Sequence, residues 1–554
     1  MSDLQIPSEA RPSPFPHSLC WNARSRGKVT NTLALDVLPE VFHATHSPTQ
    51  LAYGRPGDSA LRPTTETKFL DDFLDPEKDR RLAFIVGDSG AGKSHLIRWA
   101  YFEIEKRNRK EQRFHVRLIP RSSSNLHDVI LRLLEGFDEV SLVQSIKHEL
   151  ELARSKLTEK GARARVLDEL AFVLEEGNVS QRPGARELSM EEEEVQELIP
   201  AFLRDDAVRN WLLSEVDLVA KLGDHIGGHR ENIQTEPEDL LWTGEDLMVP
   251  VQLQNDIGKR GRELAGLLIA DPTFPPMTAR LLNDAWSEAS SALLGLRQGN
   301  LGKALEEIRE VLQGKDLVLL IEDLSITKGV DFDLLESLII PPNEIPGKTL
   351  CTLRSMVGLT PDDYRSLPTN VQSEARSYPV TLTLPIGKSE EGSVSHEDLV
   401  RFASRYLNAA RFPLETLKQW ADDEDARQTS LPSFCDASEC PNRSNCHEAF
   451  GAVSPDEQTG EYGLYPFTSE SLIRLYGTLP QAKDASTGDL TFNPRAMVGS
   501  VLNRVMELAE RDLSDGRFPN DELTQLFDLH SVSAEAQIAL EQKYSSDYDR
   551  ALSA

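Results

Sequence analysis

Residues able to handle a phosphate stand together in Gly87-Asp88-Ser89-Gly90-Ala91-Gly92-Lys93-Ser94-His95. Glycines at 87, 90 and 92 let a backbone bend around an anion with several N–H groups turned inward, and a helix opening near Lys93 adds its positive dipole end. The Lys93 ammonium can reach the β- and γ-phosphates of a nucleotide, and the Ser94 hydroxyl can ligate Mg²⁺. A glycine-rich turn without a ligand is the plain alternative, but it leaves the four filled motif positions unexplained.

Three further groups could complete such a site. Glu322 and Asp323 close the apolar run Asp316–Leu324; one carboxylate would hold Mg²⁺ through water, and the other would orient or deprotonate an attacking water. By register Glu322 takes the metal side and Asp323 the base, with the exchange of roles left open. Thr352, Arg354 and Ser355 end an expected strand, 349–355, where a side chain could sense a γ-phosphate or simply finish the strand. Arg495, in Asn493-Pro494-Arg495, opens a helix and could lean over a phosphate bound across a cleft.

A separate chemical group is Cys435, Cys440 and Cys446, with His447 adjacent. Thiolates are soft ligands, so three in so short a loop suggest a metal. Zn²⁺ needs a fourth ligand, which His447, Cys351 or Cys20 would supply; an iron–sulfur cluster fits the spacing as well. Reduced thiols in an ordinary loop are the alternative. A metal here would staple the segment rather than do chemistry.

The elements that must position these groups are legible in outline. Leu82–Val86 is a short apolar run, a strand ahead of the glycine loop, and Leu96, Ile97 and Ala100 give the following segment a helical period. Thr64–Thr67 caps an upstream helix whose face is Phe69, Leu70, Phe73 and Leu74. Phe114–Pro120 is a second strand, 125–313 is helical and charged, and Leu317–Ile321 is a strand buried on both faces. Leu334–Ile340 reads as helix and Tyr378–Pro385 alternates as a strand. Leu399, Phe402, Ala403, Tyr406 and Leu407 share a helical face behind Ser395, and Asn493 and Pro494 open another helix. The expected organisation is an arm (1–62), an α/β core (63–394) with a helical insertion (125–313), a helical lid (395–515) with a cysteine-rich insertion (430–467), and a C-terminal helical segment (516–554). Ser533–Ala554 lacks a capping glycine, which leaves room for a further domain.

At 554 residues the chain can bury a large core, and its hydrophobic share is 39%. A net charge of −30 excludes nucleic-acid binding through bulk charge and leaves only a local or indirect DNA contact open. Neither a membrane-spanning run nor a secretory signal is read, so the expected location is cytoplasmic.

The glycine loop, the late acidic strand, a polar strand end and an arginine in a helical segment occur in the order of AAA+ and related STAND ATPases, which the chain resembles. VGDSGAGKSH, LVLLIEDL, the cysteine cluster and FNPR are similar to the large ATPases of bacterial phage-defence and DNA-modification islands, of BREX type or from the 7-deazaguanine DNA-modification cluster. The resemblance implies a P-loop three-layer core with a helical lid, ATP and Mg²⁺ as ligands, Arg495 as a lid sensor, and Arg354 or Thr352 as a strand sensor. It further implies protein partners in a multi-subunit system, with a homo-oligomer left open, and no membrane. The acidic pair is Glu-Asp rather than Asp-Glu, and the insertion is longer than a plain AAA+ core carries.

These observations set the expected function: an Mg²⁺-dependent ATPase that couples hydrolysis to conformational change. A nucleotide-binding scaffold with little turnover is the alternative. Thr327-Lys328-Gly329-Val330 lacks the aspartate a guanine-binding motif needs, an ABC-type signature is absent, and a small-molecule kinase would be shorter.

Overall fold

The computed structural model describes residues 19–31, 38–49, 51–54, 61–77, 82–88, 91–120, 126–156, 159–176, 188–227, 240–294, 300–322, 347–367, 381–383, 395–423, 430–456, 460–483, 490 and 492–527. Ser89, Gly90, Asp323, the expected helix 334–340 and the C-terminal segment 533–554 lie outside the described residues. The chain divides into two units, one of Leu51–Gly87 and Lys93–Thr383, the other of Met1–Gln50, Asp88–Gly92 and Leu384–Ala554.

The first unit is α/β. Its sheet contains β1 (Leu51–Tyr53), β2 (Arg62–Thr64), β3 (Leu82–Val86), β4 (Phe114–Ile119), β5 (Asp316–Ile321), β6 (Thr352–Leu359) and β7 (Thr381–Thr383), in the order β2-β1-β7-β3-β6-β5-β4. The run from β7 to β4 is parallel throughout, while β1 is antiparallel to both β7 and β2. Every residue of β3 is buried, as an apolar run covered on both faces requires. From β3 the chain crosses to the far edge at β4 and then works back through β5 and β6. That reversal makes β3 and its neighbours the point where the connections part in opposite directions, and open α/β sheets take their ligands outside the carboxyl ends of strands at such a point.

Between β4 and β5 the chain is helical, from Leu126–Leu134 to Asn300–Val311. These helices share one hydrophobic core with the sheet: Leu167, Ile199, Trp211 and Leu282 belong to the same cluster as Phe84, Leu319 and Val357. The insertion is therefore fused to the α/β unit rather than hung from it. Local capping sets its joints; Ser189 and Glu192 form a reciprocal box that starts helix Met190–Leu203.

The second unit is mostly helical, with a two-stranded ladder of β8 (Ala452–Val453) and β9 (Tyr462–Gly463). Helix His396–Arg411 starts at Ser395, whose hydroxyl accepts from Asp398 N at 3.4 Å, and buries Leu399, Phe402, Ala403 and Leu407. The expected arm contributes directly to this core. Trp21 Nε1 donates to Glu510 at 2.9 Å, Arg26 grips both Glu510 oxygens at 2.7 and 3.0 Å, and Thr30 donates to Asn503 at 2.7 Å. Among the described residues, no helix is long and apolar enough to cross a membrane.

Candidate functional site at the carboxyl end of the sheet

The glycine-rich loop leaves β3 at Gly87, whose N–H donates to Leu359 O at 3.2 Å and so moors the loop to the end of β6. Ala91 N bonds Asp88 O at 3.1 Å, and Gly92 takes φ +97°, a conformation that a side chain would strain. Helix Lys93–Glu111 follows at once, held down by Leu96, Ile97, Ala100 and Ile104. Lys93 is buried, and its ammonium donates to Gly87 O at 2.6 Å. The cation thus turns back toward the end of β3.

Glu322 continues β5 past its last ladder residue. Its backbone N–H donates to Ile119 O at 3.0 Å, and its side chain is 1% exposed. Gly358 stands between this residue and Ile85 of β3, on one line across the three strands. At about 4.8 Å per strand, Glu322 lies about 10 Å from the chain entering the glycine loop. A Cβ on Gly358 would fall 2.3 Å from Glu322 O, so only glycine lets β5 and β6 close at this level.

Arg98 reaches that carboxylate. Its Nε donates to Oε1 and its Nη2 to Oε2 at 3.2 Å, a two-pronged pair with Glu322. Arg98 is one helical turn beyond Ser94, so the two positions share a helix face. Neither Arg98 nor Gly358 stands out in the sequence as a site residue. The i, i+4 spacing from Ser94 was the available signal for the first, and a glycine inside an apolar run for the second.

Arg354 requires correction as a sensor of the γ-phosphate. It pairs with Val318 low in the sheet, five residues before the end of β6 and so about 16 Å from it. There it is buried, pairs with Asp316 at 3.2 Å, and donates to Phe73 O at 2.7 Å. It caps the last carbonyls of helix Glu66–Leu74. Thr352 and Ser355 share this half of β6, because the strand runs on through Met356-Val357-Gly358-Leu359. Leu359 ends β6, and Thr360 directly after it accepts from Asp363 N at 3.2 Å and starts helix Pro361–Ser366.

The remaining expected residues belong to the helical unit. Asn493 accepts from Ala496 N at 3.1 Å, as a helix cap should, and Arg495 is exposed in that first turn, just before a π-helical stretch, Ala496–Asn503. Cys435, Cys440, Cys446 and His447 lie here too, whereas Cys351 is in the α/β unit, bonded through its N–H to Arg309 O. No family model, no curated protein and no solved structure matches the chain.

Proposed function

We propose that this chain is a P-loop ATPase, binding ATP on the Gly87–Ser94 loop and using its hydrolysis to drive conformational change in a larger assembly. The observation that carries the reading is the buried Lys93 ammonium folded onto Gly87 O, at the carboxyl end of a parallel sheet, with a buried acid two strands away. A neutral carbonyl is a weak partner for a buried cation, and phosphate oxygens are a stronger one. Lys93 would exchange one for the other when nucleotide arrives.

Mg²⁺, held by Ser94 and an acidic side chain at 322 or 323, would supply charge compensation on the β- and γ-oxygens. Asp323 would position water, and Arg495 would offset charge from the lid. The motif order shared with AAA+ and STAND ATPases supports the switch role. The further likeness to ATPases of phage-defence and DNA-modification islands supports a place among protein partners, with any DNA contact local.

Turnover and nucleotide affinity test the reading. Lys93→Ala should weaken ATP binding, while Asp323→Asn should cost roughly 10²-fold or more in hydrolysis and keep binding. Normal hydrolysis by both variants would refute it. One observation favours the second reading, a slow nucleotide-binding scaffold: Arg98 occupies the Glu322 carboxylate, and a carboxylate committed to a guanidinium is a poor partner for a metal-bound water. Turnover measured with and without partners and DNA separates the two.

A further inference from the structure

The ion pair between Arg98 and Glu322 is built asymmetrically. Glu322 is fixed in place: its N–H donates to Ile119 O at 3.0 Å, its carbonyl leaves no room for a Cβ on Gly358, and its side chain is 1% exposed. Arg98 reaches it from helix Lys93–Glu111 along a long, jointed side chain of which 15% is exposed. When the two part, the guanidinium has water to turn to, whereas the carboxylate is closed off from it. A buried carboxylate is costly without a cation beside it, so Glu322 releases Arg98 only as another cation takes its place.

The surroundings specify which cation that is. Ser94 stands one turn before Arg98 on the same helix, directly after the buried Lys93 that closes the glycine loop. Arg98 engages both oxygens of the acid, Nε on Oε1 and Nη2 on Oε2 at 3.2 Å. Two cations brought to one buried carboxylate repel each other strongly, because little water screens them there. Against a divalent ion held on a polyphosphate, whose bound waters donate to the same oxygens, the single charge of the guanidinium is the weaker claimant. Arg98 therefore gives way rather than sharing Glu322.

We propose, on the nucleotide reading of the Gly87–Ser94 loop, that Arg98 is a positioning residue that competes with Mg²⁺ for Glu322, so that the metal–nucleotide complex is accepted only as the pair opens. Arg98 in this way sets how much Mg²⁺ the site requires. The acid is kept in place by a cation of the chain's own, and any change that draws the guanidinium toward solvent lowers the requirement.

Binding of a fluorescent ATP analogue to the full chain, followed as Mg²⁺ is titrated in, tests this without relying on turnover. In Arg98→Gln the Mg²⁺ concentration at half-effect should fall about tenfold, because the competing charge is gone. Arg98→Lys keeps the charge and loses one prong; it should shift the midpoint the same way by about twofold, and it is decisive where the glutamine variant does not fold. Arg107→Gln removes the same charge from the same helix, but from a pair with Asp71 at 2.7 Å, and should leave the midpoint where it is. A midpoint unchanged or raised in the Arg98 variants, or lowered equally by Arg107→Gln, would overturn the proposal and leave the ATP reading standing. A wild-type chain that binds the analogue neither with Mg²⁺ nor without it would overturn the ATP reading, and the competition with it.

Discussion

Single residues here carry roles that their chemistry alone left undecided. Lys93 offers an anion a buried, charge-assisted donor worth about 1.5–3 kcal/mol, so Lys93→Ala should weaken ATP binding by roughly 10- to 100-fold in a titration with a fluorescent nucleotide. Arg98 and Glu322 are worth more as a pair than apart. Arg98→Ala takes a two-pronged cationic partner from a buried carboxylate and should cost about 3–5 kcal/mol in urea unfolding, whereas Arg98→Ala/Glu322→Gln should recover part of that loss. Arg354 behaves as a fastening. Arg354→Met should lower stability, while the ATP concentration at half-maximal turnover stays where it is in the wild type.

At the scale of elements, Gly358 decides how closely β5 and β6 approach. Gly358→Ala sets a methyl group against backbone rather than a movable side chain, and should cost about 1–3 kcal/mol with a matching drop in turnover as Glu322 is pushed aside. On edge strand β4, His115 is half-buried, 4.9 Å from the Phe137 ring, with Nε2 unpartnered among the described residues. Burial first, and then Arg117 and Lys315, lower its pKa to about 4. The unfolded chain takes up that proton near pH 6.5, so His115 contributes fully above about pH 6.5 and its contribution drains as pH falls toward 4. His115→Gln should flatten the urea midpoint between those limits. Strands β3 and β5 were legible because their apolar runs Leu82–Val86 and Leu317–Ile321 are unbroken, β4 because its short run of Phe114, Val116, Leu118 and Ile119 closes on a proline, and the helix face at Leu399 and Phe402 was legible too. The end of β6 was not, since the expected strand stopped at Ser355 whereas the ladder runs on through Gly358 to Leu359, and Arg354 was misplaced with it. Long-range partners such as Arg98 with Glu322, or Trp21 with Glu510, leave no mark in local spacing.

For the whole molecule, the charge of −30 opposes nucleic acid wherever the surface is not locally basic. Random duplex DNA at about 0.15 M salt should therefore show no retarded band with the chain alone, and any shift that appears should require a partner or a particular end structure. The docking of Trp21 and Arg26 on Glu510 has a consequence in time. Those partners are 489 and 484 residues apart, so at about 5–20 residues per second the ribosome needs roughly half a minute to a minute and a half to deliver the second after the first. Throughout that interval Trp21, Val29 and Val41 have emerged while most of the surface that will cover them has yet to be synthesised. The beginning of this protein must stay open and unaggregated until its later helices are made, which makes the pace of translation part of how the helical unit comes to exist.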